Sequence, residues 1–408
     1  GFMLDIDFVR AQFPAFSEPT LQGQALFENA GGSYPCRQVT DRLERFYRSR
    51  KVQPYYGFEA SRLGGAEMDE ARSRLSALLG VDPSELSFGP STTQNTYVLA
   101  QAFRQMLEVG DAIIVTNQDH EANSGPWRRL AEAGFEVRQW CVDPDSGSLE
   151  IESLRKLLDQ KVKLVCFPHC SNIVAEINPV QELTRLIRDA GAVSCVDGVS
   201  YAPHGLPNVA ELGADIYLFS TYKTYGPHQG VMVIREPLAA RLPNQGHYFN
   251  AHDRTKKFTP AGPDHAQIAA CAGIAEYFDC IAEHHGYDQL NPAQRGQRIH
   301  DLFRDHEQVL LQPVLDYFAA KNDARLLGPS DALKRAPTVA VALQAPGQRV
   351  AAALAQHGIM AGDGDFYGGR VIEAMGERPE HGLLRLSFVH YTSDREIDQL
   401  LNALDAVL

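Results

Sequence analysis

The sequence has no run of about 18 apolar residues, the length a membrane-crossing helix needs. It has no basic-then-apolar leader either, since Met3-Leu4-Asp5 turns acidic at once. Gly1 and Phe2 stand ahead of Met3 and are expected to be additions left by cloning, and a cytoplasmic location is expected. Positive charge is scarce. Lys and Arg number 38 against 51 Asp and Glu, a formal net charge of −13. A polyanion would be repelled over most of such a surface, so no nucleic-acid partner is expected. Cysteine is sparse too, with seven residues and none after Cys280. Cys166 and Cys170 lack a second Cys/His pair at zinc spacing, which excludes a metal site of that kind. Together with Cys195 they lie in or beside apolar runs and read as buried, reduced thiols. No Gly-x-Gly-x-x-Gly joins a strand to a helix, which argues against a dinucleotide site.

What is present is an ordinary globular balance, 44% apolar and 22% charged over 408 residues. That length exceeds one core and predicts a large domain plus a smaller one. From about residue 66 to 235, short apolar runs alternate with helical periods. Helices are expected at 66–79, 94–107, 125–133, 151–158 and 179–190. Strands are expected at 85–88, 112–116, 136–140, 163–167, 192–196, 216–219 and 231–234. Repeated β-α-β units predict a largely parallel sheet of seven strands with helices on both faces, an α/β class. Pro, Gly and His crowd residues 243–263, which reads as a linker or mobile loop. Beyond it, helices are expected at 266–281 and 294–318, the second kinked or broken at Pro313. A strand at 384–389 and a helix at 394–407 complete a smaller α+β unit. The expected division is residues 20–255 for the large unit, with 1–19 and 256–408 forming the small one.

In an open α/β sheet, ligands gather at the carboxyl ends of the strands. The residues following these strands are Ser91-Thr92-Thr93, then Asp119-His120, then His169, Ser171 and Asn172, then Asp197, then Ser220, Tyr222 and Lys223. Each is bland alone: an Asp after a strand is usually a cap or turn residue. Together they supply hydroxyls, an imidazole, an amide, a carboxylate and an amine at one edge. Pyridoxal 5′-phosphate (PLP) needs that set. It takes a lysine for a Schiff base, a carboxylate against the pyridine nitrogen, hydroxyls and a helix N-terminus for phosphate, and a flat side chain over the ring.

The pattern resembles the class V aminotransferase group, whose best-known members are cysteine desulfurases. It is carried by Val196-Asp197-Gly198, by Ser220-Thr221-Tyr222-Lys223 with Gly226-Pro227, by Gln118-Asp119-His120-Glu121-Ala122-Asn123 with Pro126-Trp127, by His169-Cys170-Ser171-Asn172, and by Leu384-Arg385-Leu386-Ser387. The resemblance runs from about Phe27 to the end. It implies PLP fold type I, and a homodimer in which residues 252–265 complete the partner's site. It also implies roles. Lys223 would carry the cofactor and shuttle the α-proton, and Asp197 would face the pyridine nitrogen. His120 would stack on the ring, and Asn172 would bind the ring hydroxyl. Thr92, Thr93, Ser220 and Tyr222 would hold the phosphate, with Ser200 also near the cofactor. Arg385 would clamp the substrate α-carboxylate. An arginine among Leu383, Leu384 and Leu386 needs a buried anion or another partner in any case.

Three departures stand out. The stretch matching the desulfurases' cysteine loop is Gly362-Asp363-Gly364-Asp365-Phe366-Tyr367-Gly368-Gly369, with no thiol to accept sulfur. The stretch resembles a desulfurase-like subgroup with an Asp-Gly pair and an aromatic instead. Ser200 stands where desulfurases have a glutamine, and Tyr222 where they have a histidine. Ala261-Gly262-Pro263-Asp264 replaces a Gly-Thr-Pro that reaches across the dimer, leaving His252, Thr259 or His265 to fill that role. Arg370 reads as a surface arginine, or as the seat of a second carboxylate. Readings that stay open are β-elimination from a small sulfur-bearing amino acid (favoured), transamination, epimerisation, and a non-catalytic PLP-binding protein. The last usually carries an appended DNA-binding domain, and no basic helix-turn-helix segment is present here.

Overall fold

The computed structural model describes residues 3–408. Gly1 and Phe2, read above as additions, lie outside the described residues. Among the described residues twelve strands form two sheets. In chain order they are β1 (Ala25–Phe27), β2 (Leu86–Gly89), β3 (Ala112–Thr116), β4 (Glu136–Trp140), β5 (Val162–Pro168), β6 (Val193–Asp197), β7 (Ile216–Ser220), β8 (Gly230–Ile234), β9 (Arg325–Leu326), β10 (Thr338–Ala342), β11 (Ile359–Gly364) and β12 (Leu383–Ser387).

The larger sheet has seven strands in the order β2-β8-β7-β6-β5-β3-β4. From β7 to β4 all neighbours are parallel, and only β8 reverses. Six of its strands are buried almost throughout because both faces are covered, whereas the edge strand β4 is Glu-Val-Arg-Gln-Trp and partly exposed. Side chains alternate between the faces. Ile113, Val115, Leu164 and Leu218 enter one core with Phe103 and Trp127. Ile114, Val165, Phe167, Val196 and Phe219 enter the other. At the edge, Arg138 of β4 pairs with Glu136 at 3.0 Å and Asp159 at 2.9 Å, charges that discourage a further strand.

The smaller sheet runs β1-β11-β12-β10-β9, with β1 parallel to β11 and the other pairs antiparallel. Val339, Val341, Leu384 and Leu386 fill its own core with Leu400 and Leu404 of the Asp394–Val407 helix. The helix Pro292–Ala319 serves both cores. Ile299, Leu302 and Phe303 enter the large one, and Leu310, Val314 and Phe318 the small one.

That helix corrects one expectation, for it is not broken at Pro313. Pro313 lies on the exposed side, and Val309, whose carbonyl loses its donor, is 73% exposed. Water meets that carbonyl, so the loss is tolerable. The expected 266–281 helix is two, His265–Ala270 and Ala272–His284, packed on the helices Arg37–Ser49 and Glu59–Leu79. The 243–263 stretch is therefore no linker between units. Gln245 and Gly246 N–H donate to Lys257 O at 2.8 and 3.1 Å, folding it on itself. The expected 125–133 helix is a single α-turn, Gly125–Arg128, followed by 3₁₀ geometry to Ala133. A two-unit division remains our proposal, drawn with β1 on the small side since it pairs with β11. No helix among the described residues is long and apolar enough to cross a membrane.

Candidate active site

Strands β2, β3, β5, β6 and β7 all end at one edge of the larger sheet, where Arg385 of β12 also lines the cavity. Lys223 closes a 3₁₀ turn that follows β7. The turn is tied at several points: Thr221 N–H donates to Gln229 O at 2.8 Å, Thr224 Oγ1 to Ser220 O at 3.2 Å, and Tyr225 N–H to Ser33 Oγ at 2.8 Å. Tyr225 has φ of +61°, a conformation costing on the order of 1–3 kcal/mol outside glycine. Its ring is wholly buried against Phe13 and Tyr277, which holds it there. Lys223 Nζ has no hydrogen bond within the described chain. Burial, with the Arg385 charge, lowers its amine to about 8, while Asp197 and Glu28 pull upward.

Asp197 ends β6 and is buried. Val199 N–H donates to its Oδ1 at 2.9 Å. Burial raises its carboxyl to about 6, against that hydrogen bond and the Lys223 charge. Asp119, after β3, lines the same deep pocket. Burial and the Asp197 charge raise its carboxyl well above the ordinary range. Asn123 Nδ2 donates to Asp119 Oδ2 at 2.9 Å, and Oδ1 has no partner. His120 follows it. Burial first, then Lys223 and Arg385, lowers its imidazole to about 3. Its Nδ1 accepts from Ala122 N–H at 2.9 Å, which assigns the ring proton to Nε2.

The Thr92–Met106 helix starts at the same edge, with Ser91 Oγ accepting from Gln94 N–H at 3.1 Å. The Thr92 and Ser220 hydroxyls lie 2.8 Å apart. Ser200 lines the deep pocket beside them, and Thr93 and Tyr222 line both this pocket and the wider cavity above. Tyr222 stacks on His228, ring centroids 4.4 Å apart. Asn172, after β5, donates from Nδ2 to Phe366 O at 2.8 Å, while its Oδ1 is buried without a partner. The cavity over Lys223, about 890 Å³, has room for a cofactor and a small amino acid. Thr92, Thr93, His120, Asn172, Asp197, Ser200, Ser220, Tyr222 and Lys223 thus each line one or both of two pockets that share lining residues.

Arg385 needs the alternation of β12. Leu384 and Leu386 enter the small core, so the residue between them faces the other way, into the cavity. The anion in contact with it is Glu28. Arg385 Nε and Nη2 donate to Glu28 Oε1 at 3.3 and 3.0 Å, and Nη1 donates to Asn172 O at 3.3 Å. The guanidinium also lies over the Phe366 ring, 3.7 Å from its centroid. Phe366 and Tyr367 both have positive φ, +54° and +58°. Their carbonyls are held by Asn172 Nδ2 at 2.8 Å and Glu121 N–H at 2.9 Å. Only a run of glycines and an aromatic pair signalled that loop in the sequence. Arg370 lines the cavity mouth in an ion pair with Glu121 at 3.2 Å, and the pair is half exposed. Thr259 lies in a neighbouring pocket, its Oγ1 donating to Phe88 O at 3.2 Å. His252 and His265 line neither cofactor pocket.

A type I PLP architecture, with the lysine, the buried Asp and the hydroxyl-lined helix start at one sheet edge, is the class that fold and pocket define. The family model for aminotransferase class-V matches residues 25–400, and the chain belongs to that family. An aminotransferase-like protein of Gibberella zeae, FGM3, is 32% identical over 414 residues, covering 99% of this chain and 98% of that protein. The cysteine desulfurase-like protein ustD of Aspergillus flavus is 26% identical over 422 residues, covering 100% of this chain and 91% of that one. Among solved structures, the apo cysteine desulfurase of Thermococcus onnurineus NA1 superposes with a TM-score of 0.85 at 22% identity, covering 99% of this chain and 98% of that one. The protein is a PLP-dependent enzyme.

The residues fit that cofactor. The orphaned Asn172 Oδ1 offers a hydrogen bond to a ring substituent. Asp197 makes one hydrogen bond through Oδ1 and leaves Oδ2 for a pyridinium N–H. The paired Thr92 and Ser220 hydroxyls at a helix start suit a phosphate. When bound, PLP supplies an electron sink for a carbanion at the substrate α-carbon.

Proposed function

We propose that the enzyme takes a small α-amino acid, removes its α-proton with Lys223, and expels a sulfur-bearing β-substituent. The observation that carries this reading is the convergence of Lys223, His120 and Asn172 on both of two adjoining pockets, the deeper also lined by Asp197 and the wider by Arg385, beside a loop with no thiol. Lys223 binds the cofactor and, once the substrate amine displaces it, is released as an amine that accepts the α-proton. A buried ammonium with an ordinary value near 10.5 would serve poorly as a base, and the shift to about 8 suits it to the task. Asp197 stays ionised against a pyridinium, since pairing with a cation lowers a carboxyl raised by burial. His120, neutral throughout the physiological range, offers a flat uncharged face for stacking. Arg385 holds the α-carboxylate and Asn172 orients the ring.

The thiol of Cys170 borders the deep pocket, but burial pushes it up to about 12. It carries no thiolate at pH 7 and receives no sulfur. A β-thio-substituted amino acid and water should therefore give the free thiol, pyruvate and ammonia. Product analysis with cystine and a cysteine conjugate checks this. Stoichiometric alanine with sulfur on the protein restores desulfurase chemistry. Conversion of an amino donor with a keto acid, without thiol release, makes transamination the reaction.

A homodimer belongs to the same proposal. Tyr47, Tyr55, Tyr56 and Phe58 are each more than half exposed around the start of the Glu59–Leu79 helix, and Tyr248 and Phe249 are 89% and 70% exposed on the folded 243–263 stretch. Aromatic surface of that kind favours a partner. Light scattering should report twice the chain mass at micromolar concentration, and a monomer there counts against it.

A further inference from the structure

Glu28 has no role in the sequence reading, yet three strands are arranged around it. It follows directly on β1, and Phe27 pairs with Ala361 of β11. Gly362, the next residue of β11, pairs with Arg385 of β12. Glu28 itself bridges Ser387 of β12, and its side chain lies against Gly362, the residue between it and Arg385. Gly362 is not required for a special backbone angle, since its φ lies outside the left-handed region. It is required for space. A Cβ there would lie 2.5 Å from Glu28 Oε1. Gly31 does the same on the other side, where a Cβ would lie 2.7 Å from Glu28 Oε2. Two missing side chains make a niche for one carboxylate, which reaches over Gly362 to the guanidinium.

The donors of Arg385 can be counted. A guanidinium has five N–H groups, one on Nε and two on each Nη. Glu28 Oε1 takes the Nε–H and one from Nη2, and Asn172 O takes one from Nη1. One N–H on each Nη keeps no acceptor within the described chain, and Arg385 lines the cavity that holds Lys223. The ring of Phe366 fixes the plane of the group from one face. Glu28 is thus compatible with a second carboxylate on the same arginine, at the nitrogens it leaves free.

We propose that Glu28 is a positioning residue for substrate recognition: seated in the Gly31–Gly362 niche, it fixes Arg385 so that the remaining Nη donors meet the substrate α-carboxylate. This deepens the reading of Arg385 as the carboxylate clamp and rests on it. The opposite role is also chemically conceivable, a carboxylate that competes with the substrate for Arg385. The two make opposite predictions.

The test uses two probes that carry the cofactor's own anchoring groups, phosphopyridoxyl-L-alanine and phosphopyridoxyl-ethylamine, which differ by one carboxylate. Their dissociation constants for the apo form of the full chain give a carboxylate preference. The wild type should prefer the alanine adduct by roughly tenfold or more, the scale of a charge-assisted contact. Arg385→Ala should abolish the preference. Absence of any preference in the wild type defeats the clamp itself, and Glu28 with it. With the clamp established, Glu28→Gln should reduce the preference at least about threefold while the ethylamine adduct binds as before, and Glu28→Asp should recover less than the wild type. Gly362→Ala, which fills the niche without touching a charge, should reproduce Glu28→Gln. An unchanged or increased preference in Glu28→Gln, with the wild-type preference intact, overturns the proposal and makes Glu28 a bystander or a competitor.

Discussion

At the scale of single residues, the chemistry rests on charges held away from water. Lys223, Asp197, His120 and Arg385 are all buried or nearly so, and each is shifted toward its neutral form by that burial. For Lys223 the sign has a kinetic consequence. Only the unprotonated amine attacks the cofactor aldehyde. With its value at about 8, the free-amine fraction rises as pH passes through 8. Uptake of PLP by the apoprotein, followed by its visible band, should accelerate from pH 6.5 to 9 with a half-point near 8. A half-point above 10 would mean the amine is solvated. Substitution is expected to be decisive here. Lys223→Ala should lose the visible band and all turnover, because among the described residues no other amine lines either pocket. Asp197→Asn keeps shape but removes the counter-charge, and turnover should fall by orders of magnitude with the cofactor still bound. Unimpaired turnover in that variant removes Asp197 from the site.

At the scale of elements, the sequence was legible wherever periodicity and strand-end chemistry agreed. The strands from β3 to β8 fall within a residue or so of their expected bounds, and β3, β5, β6 and β7 do so because a parallel strand covered on both faces is nearly all apolar. Thr92, His120, Asn172, Asp197 and Lys223 were legible for the same reason, each following such a run. The partner of Arg385 was not. Glu28 is 357 residues away in sequence, and the two meet only because β1 joins the smaller sheet beside β11. A three-residue strand carries too little pattern to announce that pairing. Of the kink or break expected at Pro313 the break does not occur; sequence alone does not show which side of a helix faces water. The proline's position gives a stability prediction. Pro313→Ala restores a donor to the Val309 carbonyl and should stabilise the protein by about 1–3 kcal/mol in urea unfolding. Destabilisation would show that the proline relieves a bend the two cores require.

At the scale of the whole molecule, two sheets with separate cores meet over one edge, and the long helix Pro292–Ala319 feeds both. The larger sheet brings the groups that suit the cofactor, and the smaller one brings Arg385, Glu28 and the aromatic loop. With the roles proposed above, substrate recognition and cofactor binding fall to different sheets, both of which contribute to the cavity lining. Everything in this account depends on Lys223 being the residue that carries PLP. The direct measurement is borohydride reduction of the purified holoenzyme, followed by digestion and mass mapping of the phosphopyridoxyl group. The group is expected on the peptide containing Ser220-Thr221-Tyr222-Lys223, at Lys223 and at one equivalent per chain. Its appearance on another lysine, or its absence from a protein that retains the visible band, would contradict it.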